Sequence, residues 1–298
     1  LNNFASRGLM SSDSNFNFLF RQNFEQRLSI TAQAEPIREF NISINLDKSF
    51  NKDYSELFKD TLSNGKFAHL SPLASGGFSV SYMAMNTLFR KQNPNEISQT
   101  FREFEQNRQI ISRRIAAANP YWQSLPPAQQ FTSDGYARGY GRYSQDVLIP
   151  AFLAAYTGKD PNNVPLIGQN NATIRTNPFK GVLPKPNWRV TYTGLTKLPA
   201  LAEKFSMITL SHGYNSTLSM NSFASALLYR DPFGLGAPGF VDTVSGNYIP
   251  YFLVPNLSMQ EAFAPLIGID ITTVNQLNLK FEYKRSRQLS LSLVDFQL

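Results

Sequence analysis

The sequence predicts a mainly β chain, a segment of a large antiparallel transmembrane β-barrel carrying an α-helical insertion. Three observations lead there. First, residues 276–298 alternate apolar and polar almost without a slip. Leu277, Leu279, Phe281, Tyr283, Leu289, Leu291 and Leu293 fall on odd numbers, and Gln276, Asn278, Lys280, Glu282, Lys284, Ser286, Gln288, Ser290 and Ser292 on even ones. That is the period of a strand with one oily face and one wet face. Unbroken, the stretch would reach about 75 Å, whereas strands of globular proteins run to about 5–6 residues. Second, residues 24–34 and 40–46 repeat the two-faced design on either side of a short connection. Third, the period turns helical between residues 95 and 118, so helices interrupt the strands.

Taken in order, Phe24, Leu28, Ile30, Ala32 and Ala34 form one apolar face, and Phe40, Ile42, Ile44 and Leu46 the next. The segment 35–39 joins them as a hairpin. In 95–118, Ile97, Phe101, Phe104, Ile111 and Ile115 lie on one side of a helix, with Asn95 as the expected N-cap and Asn119-Pro120 as the stop. Arg102, Glu103, Glu105, Arg113 and Arg114 occupy its polar side. A Gly/Tyr-rich stretch, 134–143, reads as a surface loop, since it lacks the strand, the spacing and the lysine of a phosphate cradle. A short, covered helix is expected from Pro150 to Tyr156, stopped by Gly158. Strands return near residue 187, and 230–250 is rich in Gly and Pro and reads as a long loop. Phe263, Ile267, Ile269 and Ile271 share the phase of the penultimate strand, and Val274-Asn275 turns it into the last. The expected organisation is therefore barrel strands in 1–85, a helical insertion in 86–160, and barrel strands with that long loop in 161–298.

Composition is compatible with this reading. Of 298 residues, 42% are hydrophobic, and the mean hydropathy of -0.27 fits a barrel, which turns only one face of each strand to lipid. The longest apolar run, Val147 to Tyr156, contains Pro150 and falls far short of the roughly 20 residues of a spanning helix. Aromatics make up 13%, from 24 Phe, 13 Tyr and 2 Trp, as expected where rings gather at membrane interfaces. The absence of cysteine removes disulfides and thiolate metal sites. A net charge of +7 permits anionic lipid, acidic sugar or nucleic acid, but the charges are scattered and no nucleic-acid partner is expected.

No catalytic constellation is legible, so the chain is expected not to be an enzyme and to carry no cofactor or metal. His69 and His212 lie far apart, without the neighbours of a metal cluster. Glu261 and Asp270 fall on opposite faces of one strand and cannot converge as a carboxylate pair. The candidate functional features are two. One is the apolar strand face Leu277, Leu279, Phe281, Tyr283, Leu289, Leu291 and Leu293, facing lipid or packed on protein. The other is the basic cluster Lys284, Arg285 and Arg287, at a membrane interface or in the lumen. Arg285 and Arg287 share the phase of the leucines, and at a bilayer midplane each would cost roughly 2–4 kcal/mol. They are therefore expected at or beyond a headgroup boundary, or at a bend or hairpin there, with the leucines on at least one side of them in a layer other than the hydrocarbon.

Four blocks in order, SQDVLIPAFLAAYTG (144–158), LPKPNWRVTYTGLTKL (183–198), LSHGYNSTLSM (210–220) and the stretch from Val254 to Leu293, resemble the SprA/Sov family. Its members are outer-membrane translocons of the type IX secretion system, associated with gliding motility. The resemblance implies an exceptionally large barrel that conducts folded cargo proteins. It also implies lipid of the outer membrane around it, a PorV-type barrel and a plug protein as partners, and no catalytic residues to carry over. Family members are several times longer, so an internal segment is expected. The alternative from another class is a soluble extracellular β-rich adhesin or carbohydrate-binding module, which accommodates Arg285 and Arg287 without strain. A secreted hydrolase is a third reading, for which no assembled site is legible.

Overall fold

The computed structural model describes residues 1–91, 93, 95–169 and 173–293. Eight strands form one antiparallel sheet: β1 (Leu19–Ile37), β2 (Phe40–Asp60), β3 (Phe67–Ser81), β4 (Asn187–Tyr192), β5 (Phe205–Ser225), β6 (Phe252–Leu253), β7 (Asn256–Thr273) and β8 (Asn278–Ser292). Among the described residues six α-helices accompany them: α1 (Asn2–Ser6), α2 (Met85–Leu88), α3 (Gln99–Ala117), α4 (Pro120–Gln123), α5 (Gln145–Thr157) and α6 (Pro199–Ala202). The chain is thus mainly β. The strands run in the order β1-β2-β3-β5-β7-β8, and among the described residues the outer edges of β1 and β8 pair with nothing.

One slot of this order is shared. β3 lies between β2 and β5 over one half of their length, through Lys48↔Val80 and Val80↔Leu218. β4 lies between the same two strands over the other half, through Ile44↔Trp188 and Trp188↔Tyr214. Both run antiparallel to β2, and counting register from either neighbour leaves a single position between Ser81 and Asn187, facing Leu46 on β2 and Ser216 on β5. β3 and β4 are one strand, interrupted by an excursion from Tyr82 to Pro186. Its exit and return are tied together where Lys185 N donates to Ser81 O at 2.8 Å. With this strand restored, and β6 counted with β7, whose register on β5 it continues through Ala224↔Leu253 and Ser219↔Ser258, the order is a plain meander in which each strand pairs with the next in sequence.

The excursion folds onto one face of the sheet. Its core is α5, buried from Asp146 to Thr157, crossed by α3 through Phe104, Ile111 and Ile115. These pack with Phe50, Phe78, Val80, Leu218, Met220, Leu257, Met259 and Leu291 of the sheet. α5 is apolar nearly all round, so it is stable only when enclosed.

Several predicted boundaries shift for local physical reasons. α3 begins at Gln99, because Ser98 Oγ accepts the Phe101 N–H at 3.2 Å and is the cap. Asn95 and Ile97 precede the helix, and Ile97 is exposed. α5 begins five residues before Pro150, which sits inside it, and Gly158 ends it in the left-handed region at φ 66°. The excursion, 82–186, is wider than the predicted 86–160 insertion. The first two strands extend beyond 24–34 and 40–46, meeting in a turn of Arg38 and Glu39. β8 runs from Asn278 to Ser292, and the predicted continuation over 294–298 lies outside the described residues.

Candidate functional surfaces

The register divides the sheet into two chemically distinct faces. One row reads Arg27, Ser49, Ser79, Ser219, Ser258 and Ser290 across all six positions of the meander. Its neighbour, one residue along each strand and so on the opposite face, reads Leu28, Lys48, Val80, Leu218, Met259 and Leu289. The division holds towards the turns. Asn41, Thr191, Ser211, Gly268 and Glu282 form a polar row, and Phe40, Tyr192, Leu210, Ile269 and Phe281 an apolar one.

The apolar face is itself split into a covered half and a bare half. Under the excursion Leu291 is 2% exposed, with Leu289 and Leu293 packed beside it. Further along β8, Leu277, Leu279, Phe281 and Tyr283 are 56%, 52%, 59% and 49% exposed. At the other edge Ile30 and Ile37 of β1 are 47% and 66% exposed. Between these edges Ile42, Ile44, Val190, Leu210, Ile269 and Ile271 continue the band at intermediate exposure. Ile208, beside the 193–204 connection, is buried.

The two halves meet at Arg285 and Arg287. Arg287 Nε donates to Glu261 Oε1 at 2.7 Å, and its Nη2 reaches the same carboxylate, Thr87 Oγ1 at 2.8 Å and Ala84 O at 3.3 Å. Arg285 Nη2 donates to Leu88 O at 2.9 Å, and the guanidinium stands 4.9 Å from the centre of the Phe89 ring. Glu261 is buried and accepts a further bond from Tyr214 Oη at 3.0 Å, while Tyr214 Oη accepts the Ala84 N–H at 3.0 Å. Thr87 Oγ1 donates in turn to Tyr156 O at 2.5 Å. The arginines are thus a junction that ties the start of the excursion, α2, to β5, β7 and β8. Desolvated charges persist in such a place only when paired and fully hydrogen-bonded.

The predicted basic trio is therefore not one cluster. Lys284 projects from the opposite face of β8 and pairs with Glu282 at 2.8 Å, beside Lys280 at 3.2 Å from the same carboxylate. Sequence reasoning missed Glu261 and Thr87 as partners of Arg287, and Tyr214 as a second partner of Glu261. Glu261 carried the signal, a carboxylate in the apolar phase of the strand preceding one with arginines in its own apolar phase.

The chemistry-bearing residues elsewhere are dispersed. His69 Nδ1 lies 2.7 Å from Glu56 Oε2, and His212 Nδ1 lies 2.7 Å from Leu266 O. Glu261 is on the apolar face, opposite Arg287, and Asp270 on the polar face, opposite Lys280. Among the described residues no group of three or more His, Cys, Asp or Glu is placed to hold a metal ion. Asp146, in the first turn of α5, is fully enclosed, and among the described residues neither carboxylate oxygen has a hydrogen-bond partner. Burial pushes its carboxyl up to about 7, opposed by the nearby amides of Gln169 and Gln145, neither of which comes into hydrogen-bonding geometry. Among the described residues no helix is long and apolar enough to cross a membrane, which says nothing of strands. No protein-family model matches the chain, and no curated protein matches it.

Proposed function

We propose that the chain forms part of the wall of a large outer-membrane β-barrel, a protein-conducting channel of the SprA/Sov type that exports folded cargo. The observation that carries this reading is the division of one meander into a mainly polar face, broken at its far end by Leu19, Leu57 and Leu70, and an apolar face left bare over half its height. A wall between water and lipid needs that arrangement, with the polar face lining a lumen and the bare band meeting hydrocarbon. The band runs roughly 20 Å along the strands, on the scale of the about 25 Å apolar belt of outer-membrane barrels. The turns at Arg38-Glu39 and 274–277 are short and the 193–204 connection beside them is of intermediate length, whereas the opposite end carries the longest connection, 226–251, beside the short 61–66 turn; barrels likewise place their longest loops at one end. The outer edges of β1 and β8 then pair with further strands of the wall, as unpaired backbone groups in lipid cost several kcal/mol each.

In this reading the helical excursion sits on the outside of the wall, beyond the hydrocarbon, with Arg285 and Arg287 at its lower margin. The lumen is left clear for cargo, and the excursion offers a docking surface to a neighbouring barrel or plug. The test is fractionation of the full-length protein. Retention in the membrane through carbonate and high salt supports the wall, and release by either removes it.

A soluble extracellular adhesin or carbohydrate-binding module is the second reading. It is favoured by one observation, that Leu289, Leu291 and Leu293 are covered by protein of the same chain. It leaves Leu277, Leu279, Phe281 and Tyr283 without a partner, which a soluble sheet seldom tolerates.

A further inference from the structure

The margin between the covered and bare halves carries cations at both edges of the sheet, and the two edges treat them differently. At the β8 edge Arg287 is neutralised by Glu261. At the β1 edge Lys48 sits directly opposite Leu28, in the last row before the bare band. Here the segment 173–184 of the excursion passes over β2, and Lys48 Nζ donates to the carbonyls of Lys180 and Val182 at 3.3 and 2.9 Å. Those bonds fix the ammonium without cancelling its charge. Around it lies a cavity of about 550 Å³ lined by Lys48, Arg175 and Lys180 together with Leu28, Phe50 and Leu183. A second cavity of about 700 Å³ shares Arg175 and adds Lys52. Among the described residues no carboxylate lines either one. The neighbouring acid on the strand, Asp47, belongs to the opposite face, where it accepts from Ser29 Oγ at 2.8 Å.

We infer that this groove binds a phosphorylated lipid, the phosphate held by Arg175, Lys180 and Lys48 and an acyl chain lying along Leu28 and Ile30 of β1. Charge complementarity selects the head, since three cations and no acid face one opening, and a planar guanidinium matches phosphate oxygens in two-point geometry. The apolar residues select the tail. Leu28 belongs to the cavity, and Ile30, Ala32 and Ala34 continue the same face of β1 down the bare band. A free anion would need only the first feature, whereas a lipid uses both. The inference rests on the outer-membrane reading for its depth, because the groove then lies at headgroup level.

The test uses the full-length protein in neutral detergent, titrated with dioctanoyl phosphatidic acid, dioctanoylglycerol and inorganic phosphate. Arg175 and Lys180 are exposed, so the double variant Arg175→Gln, Lys180→Gln retains the fold, which circular dichroism checks. Phosphatidic acid is expected to bind the wild type at least tenfold more tightly than either phosphate-free dioctanoylglycerol or inorganic phosphate, and the variant at least tenfold more weakly. Equal binding to wild type and variant overturns the site. Equal binding of dioctanoylglycerol overturns the phosphate contact, and equal binding of inorganic phosphate overturns the lipid. If fractionation releases the protein from the membrane while Arg175 and Lys180 still govern phosphate binding, the outer-membrane reading fails and the anion contact survives. If the protein stays in the membrane and the variant binds normally, only the groove fails.

Discussion

Leu291 and Leu279 lie on the same strand, in the same phase and on the same face, yet one is buried under the excursion and the other stands open. Nothing in their local sequence distinguishes them. Alternation along a strand says which face is apolar, and a distant part of the chain decides what that face meets. The arginines between them mark the change, because a cation in the apolar phase is tolerable only where protein groups can satisfy it.

The largest expected effect comes from cutting the junction. Glu261→Ala leaves the largely enclosed Arg287 without its carboxylate and is expected to cost about 3 kcal/mol, read as a drop in Tm of the purified protein. The double change Glu261→Leu, Arg287→Leu should recover most of the loss, and if it does not, the pair contributes more than compensation. Next is the covering layer itself. The Asp146 carboxyl titrates near 7 in the fold against 3.8 when exposed, so the folded state holds its proton where the unfolded state has lost it. Stability therefore falls as pH rises from about 4 through 7 and is flat above. Asp146→Asn should remove that slope and raise stability at pH 8 by at most about 4 kcal/mol, measured as Tm against pH.

The comparison is sharpened by truncating its two members. Leu291→Ala should destabilise by about 3 kcal/mol and Leu279→Ala by less than about 0.5 kcal/mol in detergent melts, and equal effects would mean that the bare band is covered in the intact protein by something that detergent does not replace. A charge on the bare band separates the two functional readings. Phe281→Arg should cost roughly 2–4 kcal/mol in a bilayer and about nothing in a soluble module, whereas Ser290→Arg on the polar face should stay within about 0.5 kcal/mol in both, by urea unfolding in liposomes.

How much the sequence disclosed follows from which residues occupy the apolar phase. β8 was legible because its odd positions are leucines and aromatics. The outer part of β2 was not, because Lys52, Glu56 and Asp60 are buried in the same phase as Phe50 and Phe58, which erases the alternation. Lys52 survives there by donating to Thr173 O at 3.0 Å, a contact with no local signature, and Asp60 by accepting from the Gly65 N–H of the β2–β3 turn at 2.6 Å. The junction was half legible. The phase of Arg287 was visible, but its partner was not, because a bulge between Phe263 and Ile267 shifts the β7–β8 register by two. Counted straight from the 274–277 turn, Arg287 faces Phe263, and the bulge brings Glu261 there instead. The excursion was recognised as helical from α3, but its limits were hidden, since β3 and β4 are separate in sequence and continuous only in space.

That continuity makes the excursion a detachable cassette. Ser81 and Asn187 lie on the same line with one register position between them, so a single linking residue in place of 82–186 would leave every other hydrogen bond of the meander in step. What is mounted on the apolar face can then be lengthened, exchanged or deleted by evolution or by design without shifting the register of the strands beneath it.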